Sequence, residues 1–258
     1  MKSIKYLLNY IIHCFTAVNT KGHGVHSPFV FQFVNSVIYN KSQYYVFPEI
    51  EKLRSNLLND KRKVFINDMG TGVDRYSSVS DITRKSVQQK KYAQLLFRLI
   101  CHSQSKQILE LGTSLGLTTA YLASASKCKC LTLEGSPEIA KIAFENFKKL
   151  NLNNINLIQG NINNTLSVAL KELEELDFVF VDANHSSQAV LGYFNQCLSS
   201  LSENAIMVFD DIHWSSDMEI AWNIIKDHPK VSSTIDLFQM GIVFFNINLH
   251  KKHYKICY

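Results

Sequence analysis

Four prolines and ten glycines among 258 residues are too few for a collagen-like or low-complexity chain. No apolar run approaches the roughly 20 residues that cross a bilayer, so no membrane span is expected. Only 19% of residues are charged against 46% hydrophobic, a balance that excludes intrinsic disorder. Lys and Arg number 27 and Asp and Glu 22, and the resulting +5 permits nucleic-acid binding without indicating it. At about 150 residues per domain, the length provides one full core plus an extension.

Cysteine is sparse too, with six residues at positions 14, 101, 128, 130, 197 and 257. Cys128-Lys129-Cys130 is a strand-like alternation with no second CxxC, which argues against zinc. A chain with this much core does not need disulfides, so reduced and mostly buried thiols are expected. Lys2 and Lys5 precede an apolar stretch, as in a secretory leader. Asn9 and His13 interrupt that stretch, however, and no small-x-small cleavage site follows. Ile4, Leu7, Leu8, Ile11, Ile12 and Phe15 fall at i, i+3, i+4, i+7, i+8 and i+11. They form one helical stripe, expected to pack on the protein or on a second copy in a homodimer. A cytoplasmic chain is the expectation.

The sequence changes character near residue 105, which divides it into an N-terminal segment 1–104 and a domain 105–258. The first part has helical stretches broken by polar loops, Gly22-His23-Gly24-Val25-His26-Ser27-Pro28 and Asp68-Met69-Gly70-Thr71-Gly72. The second alternates short β-rich runs with helical periodicity. Strands are expected at 107–111, 130–133, 155–158, 177–181, 205–209, 233–237 and 242–246, with helices between the first six. Such alternation predicts an α/β fold: a doubly wound, mostly parallel seven-stranded sheet, closed by an antiparallel hairpin. In open sheets of this kind, ligands lie beyond the carboxyl ends of the strands. The residues just after each strand therefore carry the functional reading.

The first strand runs into Glu110-Leu111-Gly112-Thr113-Ser114-Leu115-Gly116. Gly112 and Gly116 permit a sharp turn and close backbone approach to a ligand, and the helix that follows offers free N–H groups. GxxxG is not the GxGxxG of dinucleotide oxidoreductases. The second strand ends at Glu134, followed by Gly135 and Ser136. An acid about 20 residues beyond the glycine turn is placed to accept from a ribose diol. Together they indicate an adenosine-containing ligand. Gly160 and Asn161 follow the third strand, where they either flank an adenine or form a polar turn.

The fourth strand ends in Asp182-Ala183-Asn184-His185 and the fifth in Asp210-Asp211-Ile212-His213-Trp214. Three carboxylates at two strand ends repel one another unless a proton or cation intervenes. An octahedral Mg²⁺-type site satisfies them. Capping of the following helices would account for one aspartate per helix, but not for the adjacent pair.

Taken together, these residues resemble the class I S-adenosylmethionine-dependent methyltransferases, and more narrowly the metal-dependent O-methyltransferases of the catechol and caffeoyl-coenzyme A type. The resemblance runs from about Lys91 to Asn246 and implies a Rossmann-like fold with an N-terminal helical cap over the acceptor pocket. It implies a cofactor site of Glu110, Gly112, Thr113, Ser114, Gly116, Glu134, Gly135, Ser136, Gly160, Asn161 and Asp182. It further implies a divalent cation, Mg²⁺, on Asp182, Asp210 and Asp211. Catechol-type enzymes carry a catalytic lysine three residues after the first metal aspartate. Here His185 stands there, as in some antibiotic-modifying relatives, and with Asp182 it makes up the catalytic pair. Asp211 replaces the asparagine of plant and animal members.

The implied reaction is O-methylation of a small hydroxylated acceptor, a diol or catechol. Cation binding lowers a phenol's pKa from about 10, and His185, with an ordinary pKa near 6.5, accepts the proton. Two alternatives stand beside it: methylation of a modified tRNA base, and a non-catalytic binding protein on the same fold. The basic cluster Arg84, Lys85, Lys90 and Lys91 and the segment His250-Lys251-Lys252-His253 bear on the RNA alternative. Segment 68–72 reads as a lid or as a plain hairpin.

Overall fold

The computed structural model describes residues 4–67 and 72–258. In chain order, α1 (Ile4–Thr16) leads through a 3-10 turn to α2 (Pro28–Phe33), which continues as a π-helical turn (Val34–Ile38). Next come α3 (Phe47–Leu58), β1 (Lys63–Ile66), β2 (Arg75–Ser78), α4 (Val79–Ser86) and α5 (Lys90–Ser103). Strand and helix then alternate through β3 (Gln107–Leu111), α6 (Leu117–Ala123), β4 (Lys129–Glu134), α7 (Pro137–Lys149), β5 (Ile155–Gln159) and α8 (Ile162–Glu172). The rhythm continues with β6 (Leu176–Val181), α9 (Ser187–Cys197), β7 (Leu201–Asp210) and α10 (Ser216–Asp227). Strands β8 (Ser233–Asp236), β9 (Met240–Phe244) and β10 (Lys252–Lys255) complete the chain.

The main sheet is mixed and mostly parallel, with the expected hairpin at β8–β9, and the architecture is Rossmann-like. It has eight strands rather than seven. The additional strand, β10, pairs parallel with β8 through Lys252↔Ser233 to Lys255↔Asp236. Its sequence, Lys-His-Tyr-Lys, has no apolar run, and only Tyr254 is buried. Backbone pairing rather than side-chain pattern makes it a strand, so the periodicity of the sequence does not mark it.

Two compact units form, Ser42–Phe178 and Met1–Lys41 with Val179–Tyr258. In the first of these, β3, β4 and β5 pair parallel. Helices from the segment before residue 105 share one core with α6 and α7: Phe47 and Leu53 of α3, Ile82 of α4 and Phe97 of α5 cluster with Tyr121 and Ile139. Strands β1 and β2 pair antiparallel from Lys63↔Ser78 to Ile66↔Arg75. A hairpin therefore flanks the 68–72 segment, of which residues 68–71 lie outside the described residues.

In the other unit, β9 is antiparallel to both β7 and β8. Gly241 of β9 lies where an added Cβ would meet the fully buried Trp222 ring at 2.6 Å, so α10 packs directly on the strand backbone. Of the two placements expected for the apolar stripe of the N-terminal helix α1, packing on the chain itself is not found. The stripe is exposed, from Ile4 at 81% to Phe15 at 88%. The face that packs is Tyr6, Tyr10 and His13, whose rings all meet Phe238 at 5.0 to 5.3 Å.

A second correction concerns cysteine. Cys14 and Cys257 form a disulfide, with their Cα atoms 4.8 Å apart. The C-terminal tail runs beside α1: Asn19 N–H donates to the Lys255 carbonyl, and Tyr39 OH to that of Cys257. That path brings together two cysteines 243 positions apart. Of the other four, Cys128, Cys130 and Cys197 are buried free thiols and Cys101 is half-buried, as expected.

Candidate functional site

In the unit Ser42–Phe178, the turn after β3 has three residues at positive φ: Gly112 at 102°, Ser114 at 49° and Gly116 at 79°. Gly116 precedes α6, and a Cβ there would meet the Phe147 ring at 2.5 Å. Close helix packing therefore requires this glycine independently of any ligand. Beneath the turn, Glu110 is fully buried, and its Oε2 accepts from Thr119 Oγ1 at 2.5 Å and Thr132 Oγ1 at 2.6 Å. Thr132 has one proton and gives it to Glu110, so Thr113 donates to Thr132 Oγ1 across 2.6 Å. Glu110 thus braces the loop from below, through side chains that flank it.

Glu134 closes the turn from the neighbouring strand. Its Oε2 accepts the Ser114 N–H and its Oε1 the Ser136 N–H, both at 2.9 Å. These two bonds fix the orientation of the carboxylate at the mouth of the turn. The residues present therefore fit a nucleoside: a strained turn that brings backbone close, a helix N-terminus, and an oriented acid. Asn161 caps α8, its Oδ1 accepting the Asn163 N–H at 2.9 Å. Gly160, at φ 147°, precedes it.

In the other unit, Asp182, His185 and Asp210 each place a ligating atom within 4.8 Å of the others'. His185 Nε2 is 3.5 Å from Asp182 Oδ1 and 3.8 Å from Asp211 Oδ2. Asp210, at the end of β7, is 5% exposed. Asp211 sits at φ 52°, a left-handed conformation uncommon outside glycine and asparagine. Burial works to lower the His185 pKa, but the pairing with Asp182 and the charges of Asp182 and Asp211 outweigh it and leave the pKa raised. These aspartates do not cap the helices that follow. Ser186 accepts the Ala189 N–H for α9, and Ser215 accepts the Met218 N–H for α10. With capping assigned to serines, the clustered carboxylates fit a divalent cation.

Tyr6 is a member of this neighbourhood that sequence reading missed. Burial, then the charges of Asp211 and Asp210, raise its pKa far above the ordinary phenol range, so it stays protonated as a donor. Its ring meets Trp214 edge-on at 5.9 Å. The signal was present as Tyr6, Tyr10 and His13 at i, i+4 and i+7, the helix face opposite the apolar stripe. His23 and His26 are exposed, and Ser27 with Pro28 starts α2. Arg84, Lys85, Lys90 and Lys91 lie on exposed faces of α4 and α5.

Residues 109–212 match the family described as methyltransferase domain. No curated protein matches the chain in sequence. Among solved structures, an O-methyltransferase from Bacillus cereus in complex with S-adenosylhomocysteine aligns with TM-score 0.56 at 21% identity, covering 84% of this chain and 97% of that one. A Podospora anserina methyltransferase, also bound to S-adenosylhomocysteine, aligns with TM-score 0.59 at 18% identity, covering 85% and 96%. The O-methyltransferase TomG from Streptomyces achromogenes, bound to S-adenosylmethionine, aligns with TM-score 0.57 at 15% identity, covering 79% and 91%. No helix among the described residues is long and apolar enough to cross a membrane. Residues 109–212 thus match a methyltransferase domain, and the chain has the fold of these solved methyltransferases.

Proposed function

We propose that this chain is an S-adenosylmethionine-dependent O-methyltransferase, assisted by a divalent cation, that methylates a small hydroxylated acceptor of the diol or catechol class. The nucleoside is assigned to Gly112, Thr113, Ser114, Gly116, Glu134, Gly135, Ser136, Gly160 and Asn161, with Glu110 as the brace. The cation, Mg²⁺, is assigned to Asp182, Asp210 and Asp211. Residues 105–258 form the methyl-transfer domain in this reading. The segment 1–104 includes the helix that brings Tyr6 beside the aspartates.

Support comes above all from one observation: Asp182, His185 and Asp210 converge, with Asp211 3.8 Å from the His185 ring, although serines already cap both following helices. A bound cation supplies positive charge that favours an acceptor oxyanion. His185 takes the acceptor's proton; its pairing with Asp182 orients the ring and stabilises the imidazolium that results. Tyr6, protonated at working pH, donates toward developing negative charge. The sulfonium donor needs no activation, so alignment of the reactants carries the rate, on the order of 7–11 kcal/mol in well-oriented systems.

Calorimetric titration tests both halves. S-adenosylhomocysteine and MgCl₂ are each expected to bind, and Asp182→Ala is expected to lose the Mg²⁺ heat while keeping the nucleoside's. An Asp182→Ala protein that still transfers methyl groups in EDTA would falsify the cation assignment.

A further inference from the structure

A second group of ligand-type side chains converges in the same unit as the aspartates, and the methyl-transfer reading does not use it. His13 of α1, His213 in the loop after β7 and Asp236 at the end of β8 each place one ligating atom within 4.8 Å of the others'. His13 is 2% exposed. Its Nε2 lies 3.0 Å from the Ile256 carbonyl oxygen, which can only accept. The ring proton therefore sits on Nε2, and the neutral ring has a bare lone pair at Nδ1. That buried atom has no hydrogen-bond partner among the described residues and faces Asp236 Oδ1 at 3.6 Å. Two electron-rich atoms opposed at a largely buried site are unfavourable unless positive charge lies between them.

His213 approaches the same carboxylate from the other side, its Nε2 2.9 Å from Asp236 Oδ2. Its Nδ1 is 3.2 Å from Glu219 Oε1. Each imidazole thus has one nitrogen turned to Asp236 and the other turned to an outer acceptor, Ile256 O or Glu219. Metal-binding histidines show this arrangement, because an outer acceptor on the far N–H fixes tautomer and ring orientation.

We infer that His13 Nδ1, His213 Nε2 and the Asp236 carboxylate hold a transition-metal ion of the Zn²⁺ class. Two imidazoles and one carboxylate form a nitrogen-rich donor set that suits Zn²⁺ or Co²⁺, where the oxygen-rich Asp182 cluster suits Mg²⁺. The surroundings are built to hold the ligands still. Phe238 N–H donates to Asp236 Oδ1 at 2.8 Å. Phe238 itself adopts φ 71°, and its ring stacks on His213 at 5.2 Å and meets His13 edge-on at 5.3 Å. The Cys14–Cys257 disulfide lies one residue beyond both His13 and Ile256, clamping the two segments that present and orient the first ligand. The ion joins α1 to the loop that follows Asp211. Its role is structural, independent of whether the chain transfers methyl groups.

The test uses full-length protein stripped with EDTA and carrying Asp182→Ala and Asp210→Ala, so that the other cluster cannot bind. Titration with CoCl₂ is expected to give one Co²⁺ per chain, with visible d–d absorption that ZnCl₂ abolishes. His13→Gln in that background is expected to weaken Co²⁺ binding at least a hundredfold while leaving the S-adenosylhomocysteine titration unchanged. Lack of Co²⁺ binding in the double variant, or undiminished binding after His13→Gln, overturns the site. Anomalous diffraction at the zinc edge, from unsubstituted crystals soaked in ZnCl₂, decides the matter without any variant. A peak between His13 Nδ1 and Asp236 supports the site, and its absence there refutes it.

Discussion

Ser114 N–H donates to Glu134 Oε2 across 2.9 Å, linking the turn after β3 to the end of β4. Because Ser114 holds positive φ, the bond both orients the acid and stabilises a backbone conformation that would otherwise be costly. Glu134→Gln keeps the side-chain length but turns one acceptor oxygen into a donor, which would meet the Ser114 or Ser136 N–H. Affinity for S-adenosylhomocysteine is expected to fall at least tenfold, about 1.4 kcal/mol, by calorimetry. Equal affinity in the variant would place the ribose elsewhere.

Asp211 supplies the second prediction. It lies 3.8 Å from His185, the imidazole that also faces Asp182, and sits at φ 52°, which asparagine tolerates well. Asp211→Asn removes one repelling charge without adding backbone strain. In EDTA the variant is expected to melt higher than the parent, by about 2–4 °C for each kcal/mol of repulsion relieved. Added MgCl₂ is expected to stabilise it less than the parent. A variant that melts lower in EDTA would show that the three acids do not repel.

The fold was legible because strand and helix periodicity is a local signal that tertiary packing reinforced from β3 through β9. The turn glycines, Glu134 and the three aspartates stand at the strand ends where the sequence puts them, the place where open α/β sheets hold ligands. What escaped notice depended on contacts remote in sequence. On α1, Ile4 to Phe15 formed the stronger pattern, yet Tyr6 and His13 are the residues that pack, because Phe238 and Asp236 wait for them more than 220 positions away. Ser215 as a cap was obscured by the two aspartates before it, which are equally good capping residues by type. That Glu110 is buried and bonded to Thr119 and Thr132 depends on packing that its place in the motif does not reveal.

Asp217 predicts a pH effect. Its carboxylate accepts from the Ser187 hydroxyl and backbone N–H, both at 2.6 Å, and those bonds hold its pKa below the ordinary value. A depressed carboxylate pKa stabilises the fold above the unfolded-state value, about 3.9, and that contribution is lost as pH falls through the folded value. Asp217→Asn is therefore expected to lower the melting temperature at pH 7, with the difference from the parent closing below pH 4. A difference that stays constant from pH 7 to pH 3 would mean that the ionised carboxylate contributes nothing.

The Cys14–Cys257 bond closes nearly the whole chain into one loop, since its ends are 243 positions apart. Closing a long loop removes much of the unfolded chain's freedom, and disulfides of this kind typically contribute about 2–4 kcal/mol. Cys14→Ser is expected to lower stability by that order in urea titrations. Reductant should then bring the parent down to the level of the variant while leaving the variant unmoved. Thiol counting gives an independent check: four reactive thiols in denaturant without reductant, rising to six after reduction. The chain has core enough to fold without this bond, so reduction should loosen the pairing of α1 with the C-terminal tail before it melts the sheet. Hydrogen exchange is expected to rise first at residues 4–16 and 252–257, with β3 and β4 still protected. Uniform loss of protection would show that the disulfide supports the whole fold rather than one seam.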